Sequence, residues 1–225
     1  MIIGMLIFDD MTQLDFTGPY EVFSQMEGCE VRVIGKSREP VVAKGGLKFL
    51  PDTTLADAPQ LDVLFVPGGP GVGALMEDRT VLEFLRRQAA QAKYVTSVCT
   101  GALVLGAAGL LKGYRATTHW LSLDLLPLFG VSVAKDRVVI DRNRITGGGV
   151  TAGIDFALVI AAQVLGEAAA KTIQLLIEYN PAPPFDCGHP GTADAGIVDA
   201  LRKARAPMQA ARLEAAKRAA ALYCS

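Results

Sequence analysis

Cys99 stands where a strand-forming run, Tyr94–Val98, passes directly into a helix-forming run that begins at Thr100. Gly101 and Ala102 follow, and both are small enough for a tight turn and close packing of the two elements. This is the layout of a nucleophile elbow, a sharp strand-to-helix turn that presents a reactive atom. A helix N-terminus favours the thiolate, the reactive form, so the placement predicts a lowered thiol pKa. The competing reading is a buried cysteine acting as a small hydrophobe. Cys29, Cys187 and Cys224 lack this setting and are assigned no role.

Other residues bear on the same chemistry. Gly68 and Gly69 end an apolar run and precede Pro70, so backbone N–H groups can face a ligand there. The Gly69 and Thr100 amides are expected to form a two-donor pocket for developing negative charge. Asp15, in Leu14-Asp15-Phe16-Thr17-Gly18-Pro19, follows the first strand. A carboxyl beside a thiol exchanges protons with it or with water. By residue type alone, however, Asp15 reads better as a helix N-cap. Thr100 serves either the site or the first helical turn. His119 is a possible base for Cys99, though a lone His beside Trp120 is more often structural. Gly147-Gly148-Gly149 allows close backbone approach near the sulfur. The expected catalytic set is Cys99, Asp15 and Thr100; Gly68, Gly69, Trp120 and Gly148 are the expected substrate or oxyanion binders.

These residues need a scaffold that brings strand ends together. Short apolar runs alternate with helical patterns: strands at Ile2–Phe8, Glu30–Ile34, Val63–Val66, Tyr94–Val98, Arg115–Thr117, Val131–Ala134, Val138–Asp141 and Arg144–Thr146. Val41–Leu50 reads as a small hairpin. Helices are expected around Tyr20–Met26 and at Thr80–Ala92, Thr100–Leu111, His119–Leu126, Thr151–Leu165 and Glu167–Tyr179. Fully apolar strands between helices imply a parallel sheet covered on both faces, with its site beyond the strands' carboxyl ends. Asn180–Thr192 is too rich in Pro and Gly for a regular element. Beyond it, Asp194–Ala206 and Pro207–Leu222 are expected as two helices, with Pro207 starting the second.

Composition narrows the field. The 225 residues are 51% hydrophobic, enough for one full core, so a single domain over 1–225 is expected, with 194–222 as a helical arm. A net charge of -1 with mixed signs leaves no basic face for nucleic acid. No apolar run reaches membrane-spanning length, and Met1–Phe8 runs into Asp9 and Asp10 as a strand rather than a signal peptide. A cytoplasmic location is the default. Four scattered cysteines without CxxC spacing, and two histidines, predict neither a metal site nor a disulfide framework.

Taken together, several segments resemble the ThiJ/PfpI superfamily in the expected order. They are Leu14–Pro19, Val66-Pro67-Gly68-Gly69, Thr96–Ala102, Ala108–Gly113, Ala116–Trp120 and Gly147–Asp155. The resemblance spans about Met1 to Tyr179. It implies a flavodoxin-like, doubly wound α/β fold with helices on both faces of a mostly parallel sheet, a nucleophilic cysteine and a homodimer. In the protease-like and chaperone-like branches a His follows the nucleophile; here it is Thr100. A glutamine amidotransferase needs a later His with an acid two residues on, but after His189 that place holds Gly191. Cys99-Thr100-Gly101-Ala102 with Asp15 looks most like isocyanide hydratases, and also like the ligand domains of AraC-type regulators. Those regulators carry a further helix-turn-helix module, for which a chain ending at Ser225 leaves no room.

The resemblance therefore implies an isocyanide hydratase that forms a cysteine thioimidate without cofactor or metal. The alternatives are a glyoxalase- or deglycase-type hydrolase with the same cysteine, and a non-enzymatic ligand or redox sensor. A small isocyanide is the expected partner, with neither nucleic acid nor membrane. The helix containing Tyr20–Met26 is expected near the dimer interface. The arm's apolar residues Ile197, Val198, Leu201, Met208, Leu213 and Leu222 need cover from their own core or from the partner.

Overall fold

The computed structural model describes residues 1–223; Cys224 lies outside them. The strands are β1 (Ile2–Leu6), β2 (Glu30–Gly35), β3 (Val41–Val42), β4 (Lys48–Phe49), β5 (Thr53–Thr54) and β6 (Val63–Val66), followed by β7 (Tyr94–Val98), β8 (Arg115–Ala116), β9 (Ser132–Val133), β10 (Val138–Asp141) and β11 (Arg144–Gly147). The helices are α1 (Gln13–Ser24), α2 (Val72–Leu75), α3 (Arg79–Ala89), α4 (Gly101–Ala107), α5 (Ala152–Leu165), α6 (Glu167–Leu176) and α7 (Ala195–Tyr223). A 3₁₀ segment runs from Trp120 to Phe129.

The main sheet has seven strands in the order β10-β11-β7-β6-β1-β2-β5. Its pairings are parallel except between β10 and β11. All four residues of β6 are fully buried, as a strand covered on both faces requires. β3 and β4 form the expected antiparallel hairpin. In α3 the Asp78 side chain caps the first turn by accepting the Val81 N–H, and Val81, Leu82, Phe84 and Leu85 give its buried stripe. The chain winds outward from β1 to β2 and then returns to β6 on β1's other side. The order thus reverses between β1 and β6, where open α/β sheets leave a crevice for ligands.

The arm differs from expectation. It is one helix with Pro207 inside it, not two. Proline removes one N–H and strands the carbonyl four residues earlier. Here Pro207 and Lys203 both lie on the exposed face, where that carbonyl is open to solvent, and the flanking Ala, Arg, Lys and Gln favour helix. The arm covers its own subunit. It packs on the 3₁₀ segment, α2 and α4, and buries Ala215, Ala216, Ala219 and Arg212. Of the apolar residues expected to need cover, Ile197, Leu201 and Leu222 stay exposed. Among the described residues no helix is long and apolar enough to cross a membrane.

Candidate active site

Three strand ends converge as the sheet order requires. β1 leads to Asp15, β6 to Gly68 and Gly69, and β7 to Cys99. Cys99 has φ +52°, a left-handed conformation that is costly for a residue with a side chain. Surrounding bonds hold it there. Its N–H donates to the Gly147 and Gly148 carbonyls at 3.1 and 2.7 Å, and its own carbonyl accepts the Thr118 hydroxyl at 2.6 Å. A Cβ at Gly101 would sit 2.2 Å from the Val66 carbonyl oxygen, so only glycine lets α4 start this close to β6. The elbow expected from sequence is present.

Asp15 is not an N-cap. Thr12 holds that position, and Asp15 lies in the first turn of α1, fully buried. Its Oδ2 accepts the Gly68 N–H at 2.9 Å. Its Oδ1 is buried with no hydrogen-bond partner among the described residues. A Cβ at Gly68 would meet the Thr100 nitrogen at 2.5 Å and Asp15 Oδ2 at 2.8 Å, so the glycine makes room for carboxyl and elbow together. Burial pushes the Asp15 carboxyl up to about 7, against smaller opposing effects of the Cys99 thiol and the Gly68 amide.

The thiol moves the other way from expectation. Burial, and then the Asp15 charge, push the Cys99 thiol well above its ordinary value, although the Thr100 amide and hydroxyl favour the anion. Desolvation outweighs a helix N-terminus of only two turns. The site therefore places a thiol whose pKa burial raises beside a carboxyl that titrates near neutrality.

The expected two-donor pocket is not formed as read. The Gly69 N–H donates to Thr100 Oγ1 at 3.0 Å, and the Thr100 hydroxyl lies 3.3 Å from the Gly69 carbonyl as a donor. Thr100 thus braces the Gly68-Gly69 turn against the elbow. Gly148 acts through its carbonyl on the Cys99 N–H rather than as a donor. Trp120 does not line the cavity beside Cys99; its ring stacks on His119 and lies under Arg202. His119 does line it. Its Nδ1 accepts the Leu121 N–H at 3.3 Å, which fixes a structural role, and burial and the Arg212 charge lower its pKa to about 4. Cys29 is half-buried and Cys187 exposed, both free thiols.

The cavity at Cys99 measures about 260 Å³. Thr12, Lys44, Gly69, Pro70, Thr100, Leu121 and Val150 also line it, as do four residues of α7: Arg205, Met208, Gln209 and Arg212. Sequence reasoning missed these four. Arg212 is buried and donates to Ser122 Oγ (3.1 Å), Gln209 Oε1 (3.2 Å) and the Gly69 carbonyl (3.3 Å). It pins the arm to the glycine turn from 143 residues away. A larger cavity of about 540 Å³ opens between Lys36, Val41, Leu75 and Asp78, and no cysteine or histidine is among its lining residues.

Comparison with known proteins agrees with the fold. Residues 1–163 match the DJ-1/PfpI family model. The chain is 56% identical over 219 residues to an isonitrile hydratase of Pseudomonas putida, covering 97% of this chain and 96% of that protein. It is 33% identical over 151 residues to the glutathione-independent glyoxalase DJR-1.2 of Caenorhabditis elegans, covering 66% of this chain and 80% of the relative. A crystal structure of a ThiJ/PfpI family protein from Pseudomonas syringae superposes with a TM-score of 0.93 at 43% identity, covering 97% and 90% of the two chains. With its elbow cysteine, buried carboxyl and flavodoxin-like sheet, this chain belongs to the DJ-1/PfpI family.

Proposed function

We propose that this protein is an isonitrile hydratase: it adds water to R–N≡C and releases R–NH–CHO. One observation carries the mechanism. The Asp15 carboxyl, raised by burial to about 7, is hydrogen-bonded to the Cys99 thiol at the elbow, so a proton can leave the sulfur as the sulfur attacks. The nearly full-length identity to a hydratase supports the substrate class.

The atoms balance without any oxidant or reductant. Cys99 sulfur bonds to the terminal isonitrile carbon while Asp15 takes the thiol proton and returns it to that carbon, giving the thioimidate R–N=CH–S–Cys99. Asp15 then takes a proton from water as its oxygen adds to the same carbon, and gives it to nitrogen. The C–S bond breaks, the sulfur leaves with the hydroxyl proton relayed through Asp15, and the formamide departs. Thr100 and Arg212 hold the Gly69 turn that lines one side of the reacting centre. Asp15, Cys99 and Thr100 are the proposed catalytic machinery, with Gly68 making room for it.

The test follows formamide production from aryl and alkyl isonitriles by wild-type protein. No turnover of any isonitrile would overturn the reading. A glyoxalase-type hydrolase using the same cysteine is the rival, supported by the 33% identical relative, and methylglyoxal assayed in parallel separates the two. Single-domain organisation over 1–225, a cytoplasmic location and a homodimer with α1 near its interface belong to the same proposal. The dimer accounts for exposed apolar residues that α7 and its neighbours leave bare, Leu175, Leu176 and Phe185 among them.

A further inference from the structure

The polar side chains that α7 gives the Cys99 cavity are donors and cations. Arg205, Gln209 and Arg212 line it from the arm and Lys44 from the β3–β4 hairpin; no Asp or Glu is among the lining residues described. Arg212 is buried and bonds neutral oxygens and the Met208 sulfur, and among the described residues no carboxylate lies within ion-pair distance of it. Its charge acts on Cys99 in the same cavity, so the cations left for a charge carried by the substrate are Arg205 and Lys44.

The same guanidinium orients Gln209. Arg212 can only donate, so the Gln209 amide must turn its oxygen toward the guanidinium. Its Nε2 therefore faces away, and that nitrogen is buried without a hydrogen-bond partner among the described residues. That nitrogen is itself enclosed by protein, so the donors open to a ligand are the cationic side chains of Arg205 and Lys44. At the mouth, the Arg205 and Lys44 side chains are exposed and make no ion pair among the described residues.

We infer that the site selects isonitriles carrying an anionic group, a carboxylate, at the end remote from the isocyano carbon. The inference rests on the isonitrile hydratase reading. The linear isocyano group points at Cys99, the body of the molecule lies along Leu121, Val150 and Met208, and the carboxylate meets Arg205 and Lys44. Arginine's planar fork matches a carboxylate in two parallel hydrogen bonds. The cavity is smaller than the roughly 300–1,000 Å³ of drug-sized pockets, so the substrate is one ring or a short chain.

The test compares 4-isocyanobenzoate with its neutral isostere 4-isocyanobenzamide. At low ionic strength kcat/KM is expected to favour the acid by about tenfold or more, and added salt should shrink that ratio. In the K44Q/R205Q double variant the ratio should fall toward one. A wild-type ratio near one with both compounds hydrated overturns the inference and leaves the hydratase reading intact. If neither compound is hydrated, and none of the other aryl and alkyl isonitriles is either, the hydratase reading fails. Calorimetry with 4-formamidobenzoate and 4-formamidobenzamide then decides the anion site separately: tighter binding of the acid supports it, and equal binding removes it.

Discussion

Replacing Asp15 with Asn should make the protein less active and, at neutral and alkaline pH, relatively more stable. The carboxyl rises from an ordinary 3.8 to about 7 because burial penalises its charge. A raised folded-state value means that the folded protein holds this proton more tightly than the unfolded chain does. The Asp15 contribution to stability is then greatest below pH 3.8, falls as pH rises between about 4 and 7, and stays low above that. At about 1.36 kcal/mol for each tenfold in affinity, the whole descent is worth about 4 kcal/mol as an order of magnitude. Asn keeps an acceptor for the Gly68 N–H but has no charge to bury, so Asp15→Asn should lack this descent. Its amide group leaves a constant offset, so the readout is the pH dependence and not the absolute stability. Urea unfolding of both proteins at several values from pH 4.5 to 8.5 measures it. In parallel, isonitrile turnover should drop by about 10²–10⁴-fold, the usual worth of a positioned proton-transfer group. Wild-type kcat/KM should climb through about pH 7 as Asp15 ionises, and the variant should lose that inflection. Parallel stability profiles for the two proteins would refute the buried-charge argument. Undiminished turnover in Asp15→Asn would remove Asp15 from the mechanism.

Cys99→Ala should abolish turnover while preserving the fold, because alanine meets the same left-handed φ of +52° that cysteine does; retained activity would sink covalent catalysis, and circular dichroism checks the fold. His119→Gln should keep activity within about tenfold, the low end for lost proton transfer, since His119 is neutral down to about pH 4 and caps the Leu121 amide; complete loss would revive a Cys–His pair. Light scattering at micromolar concentration should report a dimer, and a stable monomer of 23.8 kDa would refute that reading.

Much of the architecture was legible because it is local. An apolar tetrapeptide with β-branched ends such as Val63–Val66, followed by Pro67-Gly68-Gly69, reads as a strand buried on both faces, and the strand–Cys99–small-residue run points to a sharp turn. What a residue meets in space was not local. Asp15 fits an N-cap by type, and only the reversal of strand order between β1 and β6 seats it behind Gly68 and against Cys99. The thiol pKa was read in the wrong direction because a helix N-terminus is visible in sequence, whereas desolvation is a property of everything packed around the sulfur. Arg212 in an Ala-, Lys- and Arg-rich helix has the signature of a solvated charge. It becomes part of the site only because Ala215, Ala216 and Ala219, residues with little hydrophobic signal, dock the arm onto its own subunit. Sequence patterns record which faces are apolar, and here they determined the sheet and the elbow. The docking of the arm, the desolvation of the thiol and the donors around the Cys99 cavity depend on long-range packing, and only the tertiary structure decided them.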